Sequence, residues 1–249
     1  MKEVFGNMNK KYLLTLFLSF GLIADDNEIY VDQSGSSAEI DLEQLGSSNL
    51  IGGSDSVAGT LTALDLDGTS MTLDINQIGS SNIFRSDSIN GDNFTGFFEF
   101  DGDSNVWDLL MNSTGLITND YVNMNVGVTG SSNEFDLAIG ENSSASYLDL
   151  DFIITGDSNI FDYDIDYANA INYVDINGSS NTLNFSGSGY GGNTSSDSGY
   201  FYLDLDGSSN TLDITQESTL ARDYLKLITN GSNSNICIIQ SDSGTATSC

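Results

Sequence analysis

A four-residue turn, Gly-(Ser/Asp)-Ser-Asn, recurs through most of this 249-residue chain and constrains its fold more than any other feature. Complete copies begin at Gly46, Gly79, Gly102, Gly130, Gly156, Gly178 and Gly207, and degenerate copies begin at Gly35, Gly68 and Gly231. When complete and degenerate copies are taken together in chain order, the first two begin 11 residues apart, and the later spacings are 11 or between 22 and 29 residues. Each turn therefore marks a corner of a repeating unit of about 22 residues that carries insertions.

Both arms that flank the turn alternate apolar and polar residues. Phe98 and Phe100 stand four and two residues before Gly102, with Glu99 between them. After the turn, the second residue beyond the Asn is large and apolar, as at Phe135, and the third is mostly Asp or Asn, as at Asp136. A period of two predicts half-buried strands with apolar residues pointing inward and carboxylates pointing outward.

One strand-turn-strand arch cannot bury its apolar face alone, but stacked arches pair their backbones and enclose a continuous core. We therefore predict an all-β fold, a β-solenoid of about eight stacked coils between residues 29 and 240. The alternative is a β-sandwich, which also alternates but does not require the same turn at every other corner. Stacking would align the turn asparagines as a hydrogen-bonded ladder. These residues are Asn49, Asn82, Asn105, Asn133, Asn159, Asn181 and Asn210.

The charge and composition exclude several classes of function. The chain has 6 Lys and Arg against 36 Asp and Glu, which gives a net charge of -30 and argues against nucleic acid as a partner. It contains no His, so the commonest general base and transition-metal ligand are missing. A secreted solenoid lyase would need basic residues in a groove, and only Arg85, Arg222 and Lys226 follow the N-terminal segment. We predict that the protein is not an enzyme.

The outward carboxylates form the one candidate metal site. If the coils stack, acids at matching positions lie about 5 Å apart, and calcium prefers such oxygen ligands. We predict weak calcium bridging, with solvated faces and diffuse counterions as the alternative, and no other cofactor. The residues are Asp108, Asp136, Asp162 and Asp213 on one arm and Asp175 and Asp204 on the other. Asp74, Asp149 and Asp151 are expected at matching outward positions of the arm that carries Asp175 and Asp204.

The N-terminus resembles an export signal. Lys10 and Lys11 precede an apolar run from Tyr12 to Ile23, which is too short for a permanent membrane span. We predict a signal peptide over residues 1–24, a secreted or cell-surface protein, and a solenoid domain over residues 25–249. The alternative is an N-terminal core helix.

The only two cysteines, Cys237 and Cys249, lie near the C-terminal end. In an oxidising compartment we expect them to form a disulfide that holds the tail over the last coil, with free thiols or an intermolecular bridge as the alternative.

Insertions are predicted at the corner opposite the repeated turn. They occupy residues 54–59, 87–93, 112–120, 140–146, 187–199 and 217–222. In solenoids a variable edge can carry binding specificity.

Two segments, Gln44-Leu45-Gly46-Ser47-Ser48-Asn49 and Gln77-Ile78-Gly79-Ser80-Ser81-Asn82, resemble the curlin repeat of curli, the extracellular functional amyloid of bacteria. The resemblance extends over most of the chain as a repeat and is specific over residues 38–86. It implies a solenoid monomer that polymerises end to end into a fibre used in biofilm matrix and surface attachment.

We therefore predict a structural protein, a self-assembling extracellular fibre or matrix subunit. The alternative is a monomeric cell-surface adhesin or carbohydrate-binding module that contacts a surface or polysaccharide through its variable edge. An ice-binding solenoid is disfavoured because no regular Thr-x-Thr face occurs.

Overall fold

The computed structural model describes residues 28–52, 63–111, 121–139, 145–189, 198–217 and 222–241, so the predicted signal peptide lies outside the described residues. The described residues form strands and no helix, and therefore contain no helix that could cross a membrane. The strands are β1 Glu28–Ile29, β2 Asp32–Ser36, β3 Glu39–Leu45, β4 Leu50–Ile51, β5 Leu64–Ile78, β6 Ile83–Asp101, β7 Val106–Met111, β8 Tyr121–Thr129, β9 Glu134–Ile139, β10 Ala145–Thr155, β11 Ile160–Asn177, β12 Thr182–Gly189, β13 Ser198–Asp206, β14 Thr211–Glu217, β15 Arg222–Asn230 and β16 Asn235–Ser241.

Every strand pairing in this part of the chain is parallel and joins equivalent segments of successive coils. Phe135 of β9 pairs with Phe161 of β11, which pairs with Leu183 of β12. On the other arm, Val126 of β8 pairs with Phe152 of β10, and Phe152 pairs with Val174 of β11. This topology confirms the predicted all-β solenoid and excludes a sandwich, whose sheets are antiparallel.

The number of packed coils is slightly smaller than predicted. The corner turns from Gly46 to Gly231 stack in one column. Inward side chains are buried in about six turns, whereas Leu225 and Leu227 of the last coil and Ile40 and Leu42 of the first are only partly buried. The solenoid therefore has about six turns with a fully packed core instead of about eight, because each end coil has a neighbour on one side only within the described residues.

The core is a narrow column of apolar side chains between the two arms. The centroid of the Trp107 ring lies 5.3 to 6.3 Å from the ring centroids of Phe84, Phe98, Phe100 and Phe135. All five side chains are at most 3% exposed, so the predicted inward positions are confirmed.

One predicted insertion is wrong. Residues 87–93 belong to β6, and Gly91 pairs with Gly68, which pairs with Gly35 in a second column of turns. The first coils thus turn at two glycine columns, and Gly91 was missed because Gly-Asp-Asn-Phe departs from the repeated turn. The segments 54–59 and 112–120 lie outside the described residues, as do most of 140–146, 187–199 and 217–222.

Candidate functional site

The repeated turn has one conformation that explains its sequence. Gly79 has φ +126°, and a Cβ atom on it would lie 1.6 Å from the carbonyl oxygen of Gly46 in the preceding coil. The third turn residue, Ser81, has φ 61°, in the left-handed region that few side chains adopt. Glycine is required at the first position because the backbone of the neighbouring coil occupies the place of a side chain.

The turn asparagines lie in a single buried column. The backbone N–H of each donates to the Oδ1 of the Asn in the next coil, at 2.8 to 3.1 Å from Asn49 to Asn210. At the end of the column the N–H of Asn210 donates to the Oγ of Ser234. The ladder that the sequence suggested between side-chain amides thus joins mainly backbone to side chain, with an added amide–amide bond of 3.1 Å from Asn49 to Asn82. The ladder has a structural role, because it aligns each coil with the next.

The two halves of this column differ in how their Nδ2 groups are satisfied. In Asn159, Asn181 and Asn210 the Nδ2 donates to the turn-glycine carbonyl of the preceding coil at 3.0 to 3.1 Å. The buried Nδ2 groups of Asn82, Asn105 and Asn133 have no hydrogen-bond partner among the residues that the structure describes. A buried unsatisfied donor costs about 1 to 3 kcal/mol, so this half of the ladder is less stable per coil.

The predicted carboxylates of the arm after the turn lie in one column, and three of them are direct neighbours. Asp108, Asp136 and Asp162 pair in register in three successive coils, and Arg85 precedes them. Asn184 then separates Asp162 from Asp213.

On the other arm Asp175 pairs in register with Asp204. Asp74, Asp149 and Asp151 were expected at positions matching Asp175 and Asp204, and that prediction is wrong because their partners in the next coil are Phe97, Ile171 and Tyr173. Asp74 pairs instead with an acid of the preceding coil, Asp41. The turn glycine sets the register, and Asp149 stands seven residues before it whereas Asp175 stands three before it. No cluster of three or more metal-ligating side chains occurs in the described ranges, and calcium bridging stays a prediction.

Several carboxylates on the arm before the turn have raised pKa values. Burial raises the pKa of Asp175, and the charges of Asp204, Asp206 and Asp151 raise it further. Burial and then the charge of Asp149 raise the pKa of Asp151. These carboxylates repel one another, and a cation would relieve that repulsion.

The same arm carries an exposed aromatic face that sequence reasoning missed. Tyr173 stacks on Tyr202 with ring centroids 4.8 Å apart, and Tyr200 stacks on Tyr224 at 4.7 Å. Tyr121 and Tyr147 form a third stacked pair at 4.9 Å. Each tyrosine occupies an outward position of its strand, on the face that was predicted to carry carboxylates, and a signal was present in the outward aromatics of successive repeats. We call this surface the tyrosine face.

The outward residues of the two end coils differ in charge. The first coil exposes Glu39, Asp41 and Glu43 at seven, five and three residues before its turn glycine. The last coil exposes Tyr224, Lys226 and Ile228 at the same positions. Their inward residues are similar, since both ends present partly buried aliphatic side chains.

Two pairs of hydrogen-bonded glutamines and the first cysteine lie near these ends. Gln77 Nε2 donates to Gln44 Oε1 at 2.7 Å inside the first coils, and Gln240 Nε2 donates to Gln216 Oε1 at 2.9 Å in the last ones. Cys237 is disulfide-bonded and pairs in register with Asp213, while Cys249 lies outside the described residues.

No known protein family, curated protein or solved structure gives a significant match to this chain.

Proposed function

We propose that this protein is a secreted structural subunit that assembles end to end, with the last coil of one copy stacked on the first coil of the next. The observation that carries the proposal is the complementarity of the two end coils. A copy placed with Gly231 over Gly46 continues the register of the internal stack on the arm before the turn. On the other arm, β16 takes the place of the two-residue strand β1, which pairs with Leu50 and Ile51 within one copy and has to be displaced. It brings Leu225 over Ile40 and Leu227 over Leu42, so partly buried aliphatic side chains would become core.

The charges of the ends support the same register. It places Lys226 of one copy next to Asp41 of the other, while Tyr224 and Ile228 face Glu39 and Glu43. No acid of the last coil meets an acid of the first at these three outward positions. In a chain with a net charge of -30, this absence matters because most other contacts between two copies would bring carboxylates together.

The corner would also continue its hydrogen bonds across the junction. Inside the stack, the N–H of Gly207 donates to the carbonyl of Asn230, and the N–H of Ser209 donates to the carbonyl of Ser232. At the junction the corresponding donors are Gly231 and Asn233, and the acceptors are Leu45 and Ser47 of the next copy. The curlin-like Gln-x-Gly-Ser-Ser-Asn segments in the first coils agree with this mode of assembly.

The test is to follow the purified chain by light scattering and negative-stain microscopy over a range of concentrations. We expect filaments one solenoid wide. Lys226→Asp should suppress them, and adding Asp41→Lys to that variant should restore them, because the exchange recreates the opposite charges. Asp151→Lys, at the same outward position of a central coil and with Asn125 and Tyr173 as its register partners, is the matched control and should leave assembly unchanged. A chain that stays monomeric at every concentration would refute the proposal.

The tyrosine face favours a second candidate function, binding at a surface or to a polymer by a monomer. Exposed stacked aromatics on a soluble surface commonly mark interaction sites. The filament test separates the two candidates, because a binding module would remain monomeric and lose its ligand when Tyr173 or Tyr202 is replaced.

A further inference from the structure

A groove runs along the tyrosine face, parallel to the solenoid axis, between two columns of outward side chains. Its lining residues are Asp151, Ile153, Tyr173, Asp175, Tyr202, Asp204, Lys226 and Ile228. Ile153 and Tyr173 are 52% and 47% exposed, which is high for large apolar residues of a packed sheet. We call it the tyrosine groove.

At the same level along the solenoid axis, the two walls of the groove carry different kinds of side chain. One wall carries the stacked rings of Tyr173 and Tyr202. The other carries Asp175 and Asp204, which are partners in register on β11 and β13. Because adjacent strands are about 4.8 Å apart, the groove presents these two carboxylates at roughly that spacing, with Ile153 and Ile228 on either side of the pair.

The groove continues toward the first coils with the same character. Its extension is lined by Asp74, Phe97, Glu99 and Gly127, among others. A Cβ atom on Gly127 would meet nothing within 4 Å, so the floor is open at this point. At the opposite end Lys226 lies beside Tyr202 in register and would repel a cationic ligand. The site is thus linear, acidic and closed by a positive charge at one end.

This arrangement selects for a linear cation that also has apolar segments. Four single bonds of about 1.5 Å, joined at tetrahedral angles, place the nitrogens of an ammonium–(CH₂)₃–ammonium unit roughly 5 Å apart, close to the strand spacing. We propose that the tyrosine groove binds a linear polyamine whose ammonium groups are separated by three methylenes. Ammonium groups bind Asp175 and Asp204, and the methylenes pack on the ring edges of Tyr173 and Tyr202.

Two further observations agree with this ligand. Burial and neighbouring carboxylates raise the pKa of Asp175 and of Asp151, so the site lacks sufficient positive charge of its own. An inorganic cation would satisfy the acids but would leave the exposed apolar surface of Tyr173 and Ile153 in contact with water, whereas a polyamine covers both. The proposal does not depend on end-to-end assembly.

The test is isothermal titration calorimetry of the purified chain with bis(3-aminopropyl)amine. The comparison ligand is bis(hexamethylene)triamine, which has the same three amino groups with six-carbon spacers. Calcium chloride and sodium chloride at matched ionic strength are run in parallel, and light scattering monitors assembly. We expect the three-carbon amine to bind about tenfold more tightly than the six-carbon amine.

Variants locate the site. Asp175→Asn, Asp204→Asn and Tyr202→Ala should each weaken binding of the three-carbon amine by about tenfold. The matched control is Asp162→Asn, because Asp162 pairs in register with another aspartate on the opposite arm. Circular dichroism checks that every variant is folded. Equal affinity for the two amines, equal loss in the Asp162 variant, or tighter binding of calcium than of the amine would overturn the proposal.

Discussion

The backbone N–H of Asn181 donates to the Oδ1 of Asn210 at 2.8 Å, while the Nδ2 of Asn181 donates to the carbonyl of Gly156 at 3.0 Å. The residue therefore joins three successive coils: its backbone contacts the next coil, and its side chain makes two bonds to the preceding coil, since its Oδ1 also accepts from the N–H of Asn159. Asn105 accepts in the same way from Asn82, but its buried Nδ2 has no hydrogen-bond partner in the described part of the chain.

Replacing these two asparagines should have unequal effects. Both Asn181→Ala and Asn105→Ala leave a buried N–H of the preceding coil unsatisfied, which costs about 1 to 3 kcal/mol. Asn181→Ala also removes a satisfied amide, whereas Asn105→Ala removes an unsatisfied one. We expect Asn181→Ala to lower the free energy of unfolding by about 1 kcal/mol more than Asn105→Ala, as measured by urea denaturation. Equal losses would contradict the difference between the two halves of the ladder.

Turn glycines should not tolerate even alanine. In Gly79→Ala the new Cβ would lie 1.6 Å from the Gly46 carbonyl oxygen, at a backbone φ of +126°. We expect a loss of more than about 3 kcal/mol, because adjacent coils must separate. Gly127→Ala is the control, since its Cβ would have no atom within 4 Å, and it should change stability by less than about 0.5 kcal/mol. Denaturation midpoints of the two variants test this contrast.

The inward and outward assignment is tested by adjacent residues of β11. Phe161 is fully buried and stacks on Phe135 at 5.0 Å, whereas Asp162 is exposed. Phe161→Asp places a carboxylate in an apolar core and should cost more than about 4 kcal/mol. Asp162→Asn should be nearly neutral. Thermal unfolding followed by circular dichroism measures both, and similar shifts in Tm would refute the assignment.

Stability should increase when the pH is lowered moderately. Burial raises the pKa values of Asp65, Asp87, Asp151 and Asp175 above the ordinary value of 3.8, and neighbouring carboxylates add to each shift. A raised pKa means that the folded state binds protons more tightly, so stability falls as pH rises from about 3.8 through the folded pKa values. We expect a higher Tm near pH 5 than at pH 8, in low salt. A Tm that falls steadily on acidification from pH 8 to pH 5 would contradict this expectation.

The effects of sodium chloride and calcium chloride on the Tm should distinguish screening from calcium bridging in the column formed by Asp108, Asp136 and Asp162. Sodium chloride at about 0.5 M shortens the Debye length to roughly 4 Å and should raise the Tm by screening. Calcium chloride at matched ionic strength should raise it further only if calcium bridges neighbouring carboxylates. The excess should then fall in Asp136→Asn, while no excess would favour diffuse counterions.

The sequence by itself was sufficient for the solenoid and for its inward and outward faces. In each repeat the alternation of inward and outward residues has a fixed phase relative to the turn glycine. Phe135 and Phe161 could therefore be assigned to the core without knowing which coils are neighbours. The turn asparagines could be placed in one column for the same reason, because they stand at a constant distance from that glycine.

Only the tertiary structure decided which outward residues become neighbours. Repeats of unequal length still stack by their corners, so Asp175 meets Asp204 while Asp149 meets Ile171. The second glycine column at Gly91 and the stacked pair Tyr173–Tyr202 follow from the same pairing. A strand's own period specifies the face of each side chain, but contacts between coils depend on register, and register exists only when the coils are stacked.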